Sequence, residues 1–232
     1  MKIYHSILAA TLYILFQLTF PVNATAQQST DLVFGGYLSE NYIELLLKTN
    51  SPRAADAVHD IFARVEKGVS SEDKYKITAG SFSDSYGAIS ITPQGILNKK
   101  TSTNRDFPEH PIQIINANKF ILNTPQNSKV TFIYVGNPGL WVSSKLIAGK
   151  YVDDKNIVYE FKKDGTVNLG GTMHKYSIAL DFSEPPLVDC LYIGEQTFNF
   201  KLTGKKLFLF KISGEEHEII AKNPSYVLTR AN

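Results

Sequence analysis

The sequence predicts a mainly β protein of the α+β class, with two N-terminal helices and a β-rich segment before a C-terminal up-and-down β-barrel. Three observations support this prediction. From Gly149 to Arg230, short apolar-alternating runs follow one another at hairpin spacing, which is typical of all-β folds. Similar runs occur between Glu72 and Val135, and helix-start signals precede them. Because a meander exposes its edge strands unless it closes, we expect closure into a barrel.

The first residues have the features of an export signal. Lys2 precedes an apolar run from Ile7 to Phe20, and Ala24-Thr25-Ala26 fits a small-residue cleavage site. The run is shorter than the roughly 20 residues that a membrane-spanning helix needs, so a cleaved signal is favoured over a membrane anchor. We therefore expect a signal peptide over residues 1–26, cleavage after Ala26, and a periplasmic or secreted mature protein.

Composition and charge narrow the class of protein. The chain has 232 residues and carries 24 Lys and Arg against 22 Asp and Glu, a balance that does not suggest a nucleic-acid partner. Its one cysteine, Cys190, cannot form an intramolecular disulfide, and this favours a bacterial periplasm and a core that needs no covalent staples. After the signal, no apolar run is long enough for a transmembrane span.

Two helices are predicted at the start of the mature protein. Ser39 can cap a short helix that ends at Thr49-Asn50, and Ser51 followed by Pro52 is a strong signal for the start of the second helix. An apolar stripe at helical spacing extends this second helix to Gly68 and consists of Ala54, Val58, Ile61, Phe62 and Val65. Mixed charges on its other face indicate packing on a sheet rather than on a membrane.

From Glu72 the apolar period changes to two, which predicts strands. The runs are Tyr75–Ala79, Tyr86–Ile91, Ile112–Ile114, Lys119–Leu122 and Val130–Val135. Turn residues then indicate a boundary near residues 137–147. We predict an N-terminal domain over residues 27–136 and a barrel domain over residues 147–232; alternatively, strands on both sides of the boundary share one sheet.

A polar stretch, Asn98–His110, interrupts the N-terminal strands and is predicted to be a flexible loop. Lys99, Lys100 and Arg105 lie close together within it. Such cationic side chains are either solvated at the surface or bind an acidic partner. The loop is therefore the candidate site for contact with another extracytoplasmic protein.

The C-terminal part carries motifs of a known barrel family. Gly149-Lys150-Tyr151 opens the meander, Asp164-Gly165 supplies a hairpin turn, and Arg230 ends the last strand. With these residues, the segment 147–232 resembles the lipocalin-like (calycin) domains of bacterial secreted proteins. In lipocalins a Gly-x-Trp on the first strand packs near an Arg of the last strand and closes the base of the barrel. The resemblance implies the same closure here, with Tyr151 in place of Trp.

The spacing of these residues supports the same contact independently. Gly149 and Tyr151 lie on one face of their strand, as do Leu228 and Arg230 on theirs. If both faces point inward, the Arg230 guanidinium can lie on the Tyr151 ring. The alternative is that Arg230 is solvated beside a fraying terminus.

The number of aromatic rings bears on whether the barrel is filled or hollow. The rings expected inside are those of Tyr151, Tyr159, Phe161, Tyr176, Phe182, Phe198 and Phe200. So many rings in a small barrel favour a filled interior over a lipid-sized pocket. The seam between the two halves, near Trp141, is the next candidate ligand site.

The sequence contains no recognisable catalytic, phosphate-binding or metal-binding motif, so we expect neither enzymatic activity nor a cofactor or metal. Cys190 lies in an apolar run and is expected to be a core thiol rather than a nucleophile. The leading hypothesis is a binding protein for a small apolar ligand or an envelope component. The alternative is an inhibitor or immunity-type protein that acts through protein–protein contact.

Overall fold

The computed structural model of the chain describes residues 31–169, 171–183, 187–213 and 219–231. The predicted signal peptide, residues 1–26, lies outside the described residues. Leu32–Asn232 form one compact unit that contains two antiparallel sheets. The mainly β architecture predicted from the sequence is confirmed.

The described residues form three short helices: α1 (Glu40–Thr49), α2 (Pro52–Ala55) and α3 (Pro138–Leu146). Each begins after a capping side chain that accepts a hydrogen bond from a backbone N–H in the first turn, and the three caps are Ser39, Ser51 and Asn137. Asn50, with a φ of 54°, ends α1 in the left-handed conformation. None of the helices in the described ranges is long and apolar enough to cross a membrane.

The second helix is much shorter than predicted. It starts at Pro52 but ends at Ala55, and Phe62–Lys67 is a strand, β2. Along this strand the buried Ala63 and Val65 alternate with less buried neighbours, which is the period of two of a sheet. The predicted stripe combined apolar residues from both faces of this strand with those of α2, and it was therefore wrong beyond Ala55.

Two elements, α3 and the strand β1 (Gly35–Ser39), were not predicted from the sequence. α3 lies in the segment interpreted as a domain boundary, yet Asn137-Pro138 is the same type of start signal as Ser51-Pro52. β1 is the central strand of the first sheet, and the glycines at its start conceal the strand pattern.

The N-terminal sheet has seven antiparallel strands in the order β4-β3-β2-β1-β7-β6-β5. The remaining strands are β3 (Tyr75–Gly80), β4 (Ser85–Ile91), β5 (Ile112–Asn116), β6 (Lys119–Asn123) and β7 (Lys129–Gly136). All five correspond to predicted runs. One face of the sheet buries a core in which the ring of Tyr37 packs edge-on against Phe120, which in turn stacks on Phe132.

The C-terminal sheet closes on itself. Its strands are β8 (Gly149–Val152), β9 (Val158–Phe161), β10 (Thr166–Leu169), β11 (Thr172–Ile178), β12 (Cys190–Ile193), β13 (Gln196–Thr203), β14 (Lys206–Ser213), β15 (Ile219–Ile220) and β16 (Tyr226–Arg230). From β8 to β14 each strand pairs with the next, and β16 pairs with both β14 and β8. The predicted closure into a barrel is confirmed; the barrel is antiparallel and has eight strands, and β15 extends the sheet beside β14.

The strands before and after α3 belong to different sheets, but one hydrophobic core joins them. Tyr42 and Leu46 of α1 and Val142 of α3 pack in the same buried cluster as Tyr151 and Phe161 of the barrel. α3 lies against β11 and also contacts β1 and β7. The helices therefore fill the space between the N-terminal sheet and one end of the barrel.

Candidate functional site

The first and last strands of the barrel meet at the end that α3 covers, which we call the base. Tyr151 on β8 lies opposite Arg230 on β16. Arg230 Nη2 donates to the Tyr151 hydroxyl at 2.8 Å, and the guanidinium carbon lies 5.3 Å from the centre of the Tyr151 ring. The same nitrogen donates to the carbonyl oxygens of Leu146 at 3.2 Å and Ala148 at 3.1 Å, so Arg230 also holds the end of α3.

Gly149 and the Tyr151 hydroxyl complete the base. Gly149 has a φ of +152°, and a Cβ atom there would stand 3.4 Å from Arg230 Nε, so glycine leaves room for the guanidinium. The Tyr151 hydroxyl donates to the carbonyl oxygen of Ile147 at 2.9 Å. Burial raises the pKa of Tyr151, and Arg230 only partly offsets this, so the phenol stays protonated. These polar groups pair with one another, which favours closure over ligand binding at the base.

Trp141, which was predicted to mark a ligand site at the seam between the two halves, lies on α3. Its ring is half-buried against the shared core, and Lys145 Nζ lies 5.3 Å from the ring centre. Phe182, predicted inside the barrel, is buried but lies beneath the Arg53 guanidinium, 5.5 Å from it. The seam is thus lined by aromatic side chains that already contact cations of this chain.

Aromatic rings pack against one another along the barrel interior. Phe161 packs edge-on against Tyr151 at 5.6 Å and against Tyr176 at 5.2 Å, between ring centres. Towards the far end, Tyr226 packs edge-on against Tyr159 and Phe198, at 5.9 Å in each case. Of these rings only that of Tyr226 is half-buried, while the others are buried.

The end opposite the base, which we call the mouth, carries polar side chains on its inner face. Directly opposed residues of an antiparallel pair project from the same face of a sheet. His174 lies opposite Val167, and Lys211 lies opposite Phe198. Both Val167 and Phe198 are buried in the barrel core, so His174 and Lys211 project from its inner face. His174 is half-buried, and Lys211 is exposed.

Three further residues border the mouth. Leu169 and Tyr226 are half-buried and pack on the barrel core. Asp153 lies at the end of β8, and its carboxylate accepts hydrogen bonds from the backbone N–H groups of Lys155 and Ile157 and from the Tyr159 hydroxyl, at 2.8–3.0 Å. Desolvation raises the pKa of Asp153, but these hydrogen bonds outweigh it and lower the pKa below its usual value.

His174 and Lys211 were not predicted as site residues from the sequence. His174 showed no sequence neighbour with which it could act, and the run Leu207–Phe210 has too little polar contrast to reveal which face of β14 is inside. The inner face becomes visible only through the register of β11 with β10 and of β14 with β13.

The stretch Asn98–His110 lies along the edge of β4 and is held there by its own polar side chains. The Ala88 N–H donates to Thr103 Oγ1 at 2.7 Å, and the Ser90 N–H donates to Ser102 Oγ at 2.9 Å. Asn104 Nδ2 donates to the carbonyl oxygen of Tyr86 at 2.7 Å. These bonds hold the irregular stretch against β4, where its polar residues take the place of the neighbouring strand that β4 lacks.

Asp73 anchors the same stretch. Its carboxylate accepts hydrogen bonds from Asn98 Nδ2 at 2.7 Å, Thr101 Oγ1 at 3.1 Å and Ser70 Oγ at 2.8 Å. Burial raises the pKa of Asp73, but these hydrogen bonds outweigh it and the net pKa is lowered. Asp73 is therefore a buried carboxylate with all its partners supplied by the loop and the β2–β3 turn.

The three cations of the predicted partner loop, Lys99, Lys100 and Arg105, are exposed. Lys99 and Lys100 border a hollow of about 500 Å³ that Glu72 and Glu109 also line. The structure thus places two of the three cations together at one hollow, with carboxylates beside them.

Cys190 is buried, as predicted. Burial, together with the neighbouring Asp189 carboxylate, raises the pKa of the Cys190 thiol to about 11. A thiol in this setting remains protonated at neutral pH and is a poor nucleophile. In the described part of the chain, no three His, Cys, Asp or Glu side chains cluster closely enough to hold a metal ion.

A comparison of the chain with protein-family models, with curated proteins and with solved structures finds no match. The function is therefore inferred from the geometry of the barrel and of the covered β4 edge.

Proposed function

We propose that the protein is an extracytoplasmic, non-enzymatic binding protein whose lipocalin-like barrel holds a small ligand with an apolar part at its mouth. The difference between the two ends of the barrel carries this proposal. At the base, polar groups pair with one another, whereas at the mouth the apolar Leu169 and Tyr226 are only half-buried on the inner face of the barrel. A ligand that covers them would gain the free energy of apolar burial.

The contact between Tyr151 and Arg230 supports the lipocalin-like assignment. The resemblance implies an Arg of the last strand packed on an aromatic residue of the first, beside a glycine. Arg230, Tyr151 and Gly149 have this arrangement, with Tyr in place of Trp. A closed antiparallel barrel of eight strands is compatible with that family.

The aromatic packing limits the size of the proposed ligand. Because Tyr151, Phe161 and Tyr176 contact one another in the lower interior, a ligand would sit above them and be only partly enclosed. A small apolar molecule or the apolar end of an envelope component fits such a site. The signal peptide proposed over residues 1–26 would deliver the protein to the compartment where these ligands occur.

Native mass spectrometry of protein purified from its own host tests the proposal. We expect a small-molecule adduct on the wild type and a reduced adduct on Leu169→Gln, which makes the inner face polar. Met173→Gln is the matched control, because Met173 is exposed and lies opposite Asn168 on the outer face. A bare wild type that also fails to bind the apolar fluorophore N-phenyl-1-naphthylamine would contradict the proposal.

The second candidate is an inhibitor or immunity-type protein that contacts its partner through Asn98–His110. The observation that favours it is the exposure of Lys99, Lys100 and Arg105 on a segment held firmly to β4. Reversing all three charges to Glu should abolish binding of an envelope protein identified by capture and repurified. Unchanged affinity of the triple variant would exclude this loop as the contact.

A further inference from the structure

We infer that the ligand at the barrel mouth carries an anionic group, which Lys211 binds with His174 as a second hydrogen-bond donor. This inference rests on the proposed function, since it names the chemical class of ligand for the same site. It goes further because it assigns two residues whose position depends on strand register and not on any motif of the sequence.

The side chains of Lys211 and His174 both project from the inner face of the barrel. Neither register, β10 with β11 or β13 with β14, has an irregularity at these positions. On β14 the buried Leu207 and Leu209 alternate with Phe208 and Phe210, and Lys211 continues the Leu207–Leu209 face. Lys206, on the same strand, belongs to the opposite, outer face.

The polar groups at the mouth differ in their availability to a ligand. The Asp153 carboxylate already accepts three hydrogen bonds from its own turn and from Tyr159. Within the described ranges, the Lys211 ammonium and the His174 imidazole make no ion pair and no side-chain hydrogen bond. Besides Asp153, Lys211 and His174 are the side chains with an ammonium or a ring nitrogen that the register places on the inner face of the mouth, and the complement of these nitrogen groups is an anion.

Apolar side chains lie beside Lys211 at the mouth. Phe198 is the direct cross-strand neighbour of Lys211, and Tyr226 packs against Phe198 on the same side. A molecule with an apolar body and one negatively charged group can cover these rings and reach the ammonium at once. A carboxylate or sulfonate on a short aliphatic or aromatic body has this combination.

Two matched probes test the inference on the full-length mature protein. 8-Anilinonaphthalene-1-sulfonate and N-phenyl-1-naphthylamine share the same aromatic body, but only the first carries a sulfonate. For Lys211→Met we expect the sulfonate probe to bind about tenfold more weakly, since one charge-assisted hydrogen bond is lost, while the neutral probe binds as to the wild type. His174→Gln should weaken the sulfonate probe by a smaller factor.

Two controls isolate the charge and its position. Lys206→Met removes a lysine from the outer face of the same strand and should leave the affinity for both probes unchanged. Lys211→Arg keeps the charge and should retain affinity for the sulfonate probe. Retained binding of the neutral probe shows that the mouth of each variant is folded.

The other outcomes contradict either the anion inference alone or the proposed function as well. If Lys211→Met and the wild type bind the sulfonate probe equally, or if Lys211→Arg loses as much affinity as Lys211→Met, the anion inference is wrong while the proposed function stands. If the wild type binds neither probe and also carries no adduct in native mass spectrometry, the proposed function fails and the inference fails with it.

Discussion

The two sheets protect their edge strands in different ways. In the barrel, β8 and β16 pair through their backbones, so that the ladder continues around the whole sheet. In the N-terminal sheet, β4 has no further strand beside it, and the hydroxyl groups of Thr103 and Ser102 accept its N–H groups instead. One edge is thus closed by strand pairing, whereas the other is covered by a loop that adds these side-chain acceptors to backbone hydrogen bonds from the Asn98 and Thr103 N–H groups to the Ser90 and Ala88 carbonyl oxygens.

Arg230→Ala should lower the free energy of unfolding more than any other substitution proposed, which would show that barrel closure also depends on a side chain. Arg230→Ala removes the donor to the Leu146 and Ala148 carbonyl oxygens and to the Tyr151 hydroxyl. We expect the free energy of unfolding to fall by about 3 kcal/mol, because several groups lose a charged hydrogen-bond partner. Urea denaturation measures it, with Lys206→Ala as the control. Equal stability of the two variants would mean that the backbone ladder alone closes the barrel.

A substitution of Asp73, which anchors the loop that covers the β4 edge, should have the second-largest effect on stability. Asp73→Ala leaves Asn98 Nδ2 and Thr101 Oγ1 without their acceptor in a buried position. We expect a loss of about 2 kcal/mol in the free energy of unfolding by urea denaturation. A loss below about 0.5 kcal/mol, which is typical of surface substitutions, would show that the loop does not depend on this carboxylate.

The pH dependence of the free energy of unfolding tests how much the charge of Asp73 contributes to stability. Because its folded pKa lies below the unfolded value of about 3.9, its stabilising contribution is complete above that value and is lost as the pH falls through the folded pKa. The stability difference between the wild type and Asp73→Asn should therefore be about 1 kcal/mol at pH 7 and shrink below about pH 4. Urea midpoints at pH 7, 5, 4 and 3 measure this difference, and a difference that is constant over the series would contradict it.

The smallest effect compares the two kinds of edge directly. Thr103→Val removes the acceptor of the Ala88 N–H at an exposed position where water can replace it, so we expect a loss of only about 0.5 kcal/mol but faster hydrogen exchange at Ala88. Thr229→Val, on the closing strand β16, leaves the backbone pairing with β8 intact and should not change exchange there. Similar exchange rates at Ala88 in Thr103→Val and the wild type would refute the side-chain cover.

Local signals in the sequence were sufficient for much of the fold. The Asp164-Gly165 turn, the alternating runs and the caps Ser39 and Ser51 act within a few residues, so they predict hairpins and helix starts correctly. β2 was misassigned because Ile61, Phe62 and Val65 fit a helical spacing as well as they fit a strand. Only the neighbouring strands β1 and β3, which lie elsewhere in the sequence, decide between the two.

The candidate site was less predictable than the fold. Gly149, Tyr151 and Arg230 could be named because a family resemblance pointed to them, and they lie at the base. His174 and Lys211 could not be named, since the face on which a side chain lies follows from the register of its strand with a partner. Thr103 and Ser102 could not be named for the same reason. Their polar side chains predicted a loop, but the sequence does not show that this loop lies against the edge of β4.

The pairing of β8 with β16 also sets an order of events during synthesis. β8 is the first strand of the barrel to be made and β16 is the last, so β8 has only one neighbour until the whole barrel segment is present. The N-terminal sheet contains no strand later than β7 and can assemble earlier. During synthesis the barrel is therefore the half of the molecule whose first strand keeps an unpaired edge longest, and this edge is protected only when the last strand pairs with it.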